Sequence, residues 1–168
     1  GICNRRAIED LATRSIAAAR RHGIPMAMMI VDVDHFKRIN DEYGHQAGDV
    51  ALVETVKRIR DSLRSEDLVG RLGGEEFVAI MPSTDAASAL AAAERMRQSF
   101  AGSPMHIGGR DLLITVSIGV AVLDAQDQMY SHLLRRADRA MYAAKTAGRN
   151  KVMLDGSPLM TGGIGESA

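Results

Sequence analysis

The sequence predicts an α+β domain, with helices surrounding a central, mainly antiparallel sheet. Apolar runs of strand length alternate with stretches of helical periodicity, but not in the strict strand–helix–strand order of a parallel sheet. Two pairs of runs are joined through Gly-Gly, at Gly73-Gly74 and Gly108-Gly109, which marks tight hairpin turns. The chain has 168 residues, 46% hydrophobic and 25% charged, which suits one soluble domain with a full core.

The first helix is expected from Asn4, a candidate N-cap, to about Arg21. Ile8, Leu11, Ile16 and Ala19 lie near one face, and Gly23 and Pro25 stop it. Residues 26–33 form an apolar strand. His35 to about Tyr43 reads as a short helix ended by Gly44. Ala47 to about Leu63 reads as a longer one, with Leu52, Val56, Ile59 and Leu63 at helical spacing. Strands 67–72 and 76–81 flank Gly73-Gly74, and Pro82 closes the second. Ser83-Thr84-Asp85 offers an N-cap for a helix to about Phe100, whose stripe is Ala86, Ala89, Leu90, Ala93 and Met96. After the turn Gly102-Ser103-Pro104, residues 105–107 and 112–122 suggest a second hairpin. Leu112, Ile114, Val116, Ile118, Val120 and Val122 alternate onto one face of its long strand. Met129 to Ala147 is a helix with Leu133, Ala137, Met141 and Ala144 inward, and 149–154 is a short final strand. The domain is therefore placed at 1–154. From Asp155 the chain is Gly-, Ser- and Pro-containing without periodicity, which predicts a disordered or loosely attached tail.

Formal net charge is zero, which argues against a general nucleic-acid binder. Cys3 is the single cysteine, so neither an intrachain disulfide nor a cysteine-based zinc cluster can form, in keeping with a cytoplasmic setting. No apolar stretch approaches the roughly 20 residues of a membrane helix, and no direct membrane contact is expected.

The chemistry concentrates at Gly73-Gly74-Glu75-Glu76-Phe77. A hairpin tip with paired acids suits Mg²⁺ and phosphate, since Mg²⁺ binds through carboxylates and substrate phosphates. By itself the tip also reads as an ordinary solvated hairpin. Asp32, at the end of the first apolar strand, is a second acid placed where α/β sheets bind ligands. Beside the tip it would make three carboxylates converge on one or two ions. Asp34 directly precedes a helical pattern and reads as its N-cap.

These segments resemble the GGDEF domains of diguanylate cyclases, in particular the output domains of response-regulator cyclases. Gly1 to Arg6 is similar to the end of an opening D-x-L-T-G-L-x-N-R motif. Asp32 to Asp49 is similar to D-x-D-x-F-K-x-I-N-D-x-x-G-H-x-x-G-D. Gly73 to Phe77 is the signature spelled G-G-E-E-F, Val116 to Val120 is similar to the family's T-x-S-x-G-V-like strand, and Ala137 to Asn150 is similar to A-D-x-A-x-Y-x-A-K-x-x-G-R-N. Together they cover about residues 1 to 152.

The resemblance implies a five-stranded sheet related to the palms of adenylyl cyclases and polymerases. It implies condensation of two GTP into cyclic di-GMP and pyrophosphate with Mg²⁺, Mn²⁺ being possible. Asp32, Glu75 and Glu76 are then the catalytic and metal carboxylates, with the Val33 carbonyl as a further ligand; Glu76 is either a second-metal ligand or the group that deprotonates the 3′-hydroxyl. Gly73 and Gly74 let main chain approach ribose and phosphate. The amides of Phe36 and Lys37, at a helix start, and the cations Lys145 and Arg149 bind phosphates. The two cations also read as a solvated basic helix end. Asn40 and Asp49 are the guanine readers, although both types commonly cap helices. Arg64 and Asp67 resemble the R-x-x-D product-inhibition site, with Arg95 as a further basic member; Arg71 matches an arginine near the signature. His45 reads as structural, and His22, His35, His106 and His132 show no ligand spacing. The partners implied are GTP, cyclic di-GMP, a second copy of the domain, and an upstream sensor or receiver part beyond this chain. A non-enzymatic GTP or cyclic di-GMP sensor, and a cyclase using ATP or mixed substrates, stand as alternatives.

Overall fold

The structure is a computed structural model and describes residues 2–156. Helix α1 (Arg5–His22) starts where the Asn4 side chain accepts from the Ala7 amide at 2.9 Å and ends at Gly23, whose φ of 64° is left-handed. Its buried residues are Ile8, Ala12, Ile16 and Ala19, while Leu11 is only half-buried. Strand β1 (Met26–Val33) is buried along its whole length. Then come α2 (Phe36–Tyr43), α3 (His45–Asp61), the hairpin β2 (Leu68–Gly73) and β3 (Glu76–Pro82), and α4 (Ala86–Gly102), capped by Asp85 on the Ser88 amide. A small ribbon, β4 (Met105–Ile107) with β5 (Arg110–Leu112), precedes β6 (Val116–Val122), α5 (Tyr130–Thr146) and β7 (Val152–Leu154).

The main sheet has five strands in the order β2-β3-β1-β6-β7, antiparallel except for the β6–β7 pair. The expected α+β class holds. Side chains alternate across it, so parity along β1 decides the faces. Ala27, Met29, Val31 and Val33 pack into a core with α3 and α4. Met26, Met28 and Ile30 pack into a second core with α1 and α5. Burial on both faces explains why β1 reads as a continuous apolar run.

Two expectations are corrected. Residues 112–122 are not one strand: Leu112 ends the β4–β5 ribbon, Leu113 is exposed, and the chain enters the main sheet only at Val116. The alternation was real, but a residue count cannot reveal that a strand changes sheets. Asp155, placed in the tail, is instead held. Its amide donates to the Val120 carbonyl at 2.8 Å, and its carboxylate accepts from Arg136 and Arg139 at 2.9 and 2.6 Å. Burial pushes the Asp155 carboxyl up, but those two guanidiniums outweigh it and hold it below the usual carboxylate range. The remainder of the expected tail, 157–168, lies outside the described residues.

Candidate functional site

The site forms where β1 ends against the β2–β3 turn. The ladder places Asp32 directly opposite Glu76. Both have the parity of Met28, Ile30, Val78 and Ile80, so both carboxylates rise from the face covered by α5. From the last turn of α5, Lys145 Nζ reaches Asp32 Oδ1 at 3.1 Å. Asp32 is 3% exposed. Burial pushes its carboxyl up, the Lys145 hydrogen bond and charge oppose that, and Glu75 and Asp34 add to the rise. Glu76 is raised by burial first and then by the charges of Asp32 and Asp138. Asp138, inside the Ala137–Asn150 segment, is a further member of this electrostatic group. It lies two helical turns before Lys145, a spacing that puts both on one side of α5.

The expected convergence of three carboxylates is not a finished metal cage. Among the described residues, no three Asp, Glu, His or Cys side chains come together closely enough to hold an ion by themselves. The donors nonetheless fit Mg²⁺. Asp32 and Glu76 offer hard oxygens side by side, the Lys145 cation already sits on Asp32, and the Val33 amide donates to the Glu75 carbonyl at 3.3 Å, tying Val33 to the signature turn. Such a set would leave the remaining coordination positions to water and other oxygen ligands.

Gly74 has φ 49°, a left-handed value the turn requires. A side chain at Gly73 would meet no protein atom within 4 Å, so packing within the domain does not demand glycine there. Arg71 braces the turn: its Nε and Nη2 donate to the Gly74 carbonyl at 2.8 and 2.6 Å. At the adjacent corner His35, not Asp34, is the N-cap residue of α2, with φ 56° and no side-chain cap bond. The amides of Phe36 and Lys37 therefore start the helix without a side-chain acceptor. The N-cap expectation for Asp34 fails because its carboxylate is turned inward, where it accepts from Thr115, Ser117 and the Asn150 amide.

The remaining residues form three groups. Asn40 lies on α2 and Asp49 on α3, the two helices joined at Gly44. A Cβ on Gly48 would lie 1.9 Å from Asn40 Oδ1 and 3.2 Å from the Phe36 ring, so glycine before Asp49 is what lets Asn40 fold over α3. Asp49 lines an open, mainly apolar cavity of about 500 Å³ with Ile2, Leu52, Val56, Arg71 and Phe77. These apolar walls were missed as site residues because Leu52 and Val56 sit on the same stripe as the core positions. Arg149 lies in the turn after α5, beside Asn150, both left-handed at φ 62° and 46°.

Arg64, Asp67 and Arg95 line one separate cavity of about 210 Å³ between the end of α3 and α4. Asp67 Oδ2 accepts from the Arg64 amide at 2.9 Å, Oδ1 is buried without a partner, and Arg95 donates to the Ser62 carbonyl at 3.0 Å. Burial raises the Asp67 carboxyl. Arg60 lines the adjoining cavity with Arg64 and Asp67 and was not foreseen. His106 pairs with Asp111 and His132 accepts from the Gln128 amide.

Paired acids at a strand end, an apolar cavity lined by Asp49, and cations at the end of a helix are what this α+β fold brings together. The diguanylate cyclase GGDEF family model matches residues 1–151, and the chain belongs to this family. Response regulator PleD of Caulobacter vibrioides is 42% identical over 155 residues, covering 91% of this chain and 34% of that protein. The chain thus spans about a third of the length of that curated relative. A solved active GGEEF domain of a diguanylate cyclase from Vibrio cholerae superposes with a TM-score of 0.88 at 33% identity, over 94% of this chain and 100% of that one. The GGDEF domain of DgcB from Caulobacter crescentus, solved in complex with c-di-GMP, gives 0.87 at 32% identity, over 93% and 90%.

Proposed function

We propose that this chain is the catalytic domain of a diguanylate cyclase that condenses two GTP into cyclic di-GMP and two pyrophosphates, with feedback by its product. The observation that carries this reading is the registration of Asp32 opposite Glu76 beside the Gly73-Gly74 turn, with Lys145 on Asp32. The Vibrio domain described as active has the same G-G-E-E-F spelling.

The 3′-oxygen of each GTP attacks the α-phosphorus of the other. An O–P bond forms, the bond to the β-phosphate oxygen breaks, pyrophosphate leaves and the hydroxyl proton is released. Asp32, the Val33 carbonyl, Glu75 and Glu76 would hold Mg²⁺ or Mn²⁺, which when bound neutralises triphosphate charge and lowers the 3′-hydroxyl pKa. Burial and neighbouring carboxylates raise the proton affinity of Glu76, which also suits it to accept the 3′-hydroxyl proton. Phe36 and Lys37 amides, Lys145 and Arg149 bind phosphates. Gly73 and Gly74 leave room for ribose. The base enters the slot beside Asp49, where the carboxylate accepts from guanine N1–H and N2–H₂ and Asn40 meets the other edge. Adenine lacks that donor pair.

One domain holds one GTP, so catalysis needs a second copy related by a two-fold axis. An upstream sensor or receiver would bring the copies together in the cytoplasm. Arg64, Asp67 and Arg95 bind cyclic di-GMP; that the three line one cavity, with two guanidiniums able to take phosphate oxygens, supports this.

The test is product analysis with GTP, ATP and their equimolar mixture, with Mg²⁺ or with EDTA. Cyclic di-GMP from GTP and Mg²⁺ alone supports the reading. Binding without product would make the domain a sensor, and an adenine-containing product would make it a different cyclase.

A further inference from the structure

We propose that Asp34 is a positioning residue that sets the phosphate-binding turn after α5 by clamping the Asn150 amide, so that Arg149 is held in place through it. This rests on the reading of Arg149 as a phosphate ligand.

Asp34 is 4% exposed and follows directly on the last residue of β1, in the turn before α2. Its Oδ1 accepts from Ser117 Oγ at 2.6 Å; its Oδ2 accepts from Thr115 Oγ1 at 2.7 Å and from the Asn150 amide at 3.0 Å. Its own amide donates to the Thr115 carbonyl at 2.9 Å. A buried carboxylate with three donors is committed, and it is not free to join a metal.

The strain lies at the other end of the clamp. Arg149 and Asn150 are both left-handed, at φ 62° and 46°, which non-glycine residues avoid and rarely adopt in succession. Something outside the turn must hold them so. On one side the Arg149 amide donates to the Ala144 carbonyl at 3.0 Å, tying the turn to α5. On the other, Asp34 takes the Asn150 amide, and Arg97 donates to Asn150 Oδ1 at 2.8 Å while paired with Glu94 at 2.7 Å. Asp34 thus joins β1, β6 and this turn. Two residues earlier, at the end of β1, Asp32 holds Lys145. The strand end sets the register of both cations against the carboxylate pair.

Charge is not the essential property. In Asp34→Asn the amide oxygen can keep Thr115 and Asn150 while the amide nitrogen donates to Ser117 Oγ. Asp34→Ala keeps none of these bonds.

The experiment measures calorimetric binding of 3′-deoxy-GTP, which lacks the attacking hydroxyl, with Mg²⁺. Four proteins are compared with wild type: Asp34→Ala, Asp34→Asn, Arg149→Ala and the Asp34→Ala/Arg149→Ala double variant. Asp34→Ala and Arg149→Ala are each expected to weaken binding on the order of tenfold. Asp34→Asn should bind within about twofold of wild type. The double variant should bind no more than about twofold weaker than Arg149→Ala, because coupled residues are non-additive. Should Asp34→Ala fail to fold, Asp34→Ser replaces it with the same expectation, since it can meet Ser117 but is too short to reach Asn150. Wild-type binding in Asp34→Ala, or an equal loss with and without Arg149, overturns the clamp while leaving the phosphate reading intact. Unchanged binding in Arg149→Ala overturns the phosphate reading, and the clamp with it.

Discussion

Gly119→Ala should separate β6 from α5 and, through that, disable the site. Gly119 lies on the α5 face of β6, and an added Cβ would sit 2.1 Å from the Met141 nitrogen and 2.2 Å from the Ala137 carbonyl oxygen. Ordinary contact begins at 3.4 Å, so helix and strand must part by a little over 1 Å. The clash is with helix backbone, not with the end of a flexible side chain, so no rotamer change relieves it. Overpacking of this kind costs about 1–3 kcal/mol, occasionally more. The functional cost is larger. Met141 is one helical turn before Lys145, whose ammonium is 3.1 Å from Asp32. A displacement of about 1 Å in catalytic positioning can cost on the order of a hundredfold in rate. Thermal melts followed by circular dichroism, with initial rates of product formation well below the melting temperature, measure both effects. An unchanged melting temperature with wild-type activity would refute the argument that this close approach positions α5.

Four further outcomes are expected. In metal-free buffer, Glu76→Gln should melt higher than wild type at pH 7. A carboxyl whose folded pKa is raised stabilises the fold fully below its unfolded pKa and loses that contribution as pH rises through the folded value, so the gain should vanish near about pH 4; a gain independent of pH would contradict it. Lys145→Gln should bind Mn²⁺ alone several-fold more tightly, since the ion no longer competes with a partly buried pair of about 1 kcal/mol, yet bind GTP more weakly; equal Mn²⁺ affinity by paramagnetic resonance would show that the pair does not oppose the metal. Asp49→Ser should narrow the preference for GTP over ATP by about 1–3 kcal/mol in competition binding, and an unchanged ratio would remove Asp49 as a base reader. Arg64→Ala should weaken cyclic di-GMP binding on the order of tenfold while basal rate is kept; inhibition that persists despite weakened binding would place the feedback at the active site.

Much of this domain was legible in its sequence, because local rules acted alone there. The Asn4 and Asp85 caps, the Gly23 stop, the Gly73-Gly74 turn and the strand at 26–33 each follow from nearby residues and are found where expected. Short motifs also singled out Asp32 with Glu76, and Arg64 with Asp67 and Arg95, and the structure brings each of these groups together. What sequence could not decide is which groups meet across the sheet. Asp34 looked like a helix cap because a cap is a local pattern; its donors come from residues 115, 117 and 150, far along the chain. Leu52 and Val56 do pack in the core, as their spacing implies, but periodicity cannot report that the same face also borders a cavity. Residues 112–122 looked like one strand because alternation persists where the chain changes sheets. The pairing of Lys145 with Asp32 and the close seat of α5 on Gly119 exist only once β1, β6 and α5 are stacked. Motifs named the chemistry here, and antiparallel register with side-chain parity decided which of those groups share a face and can act together.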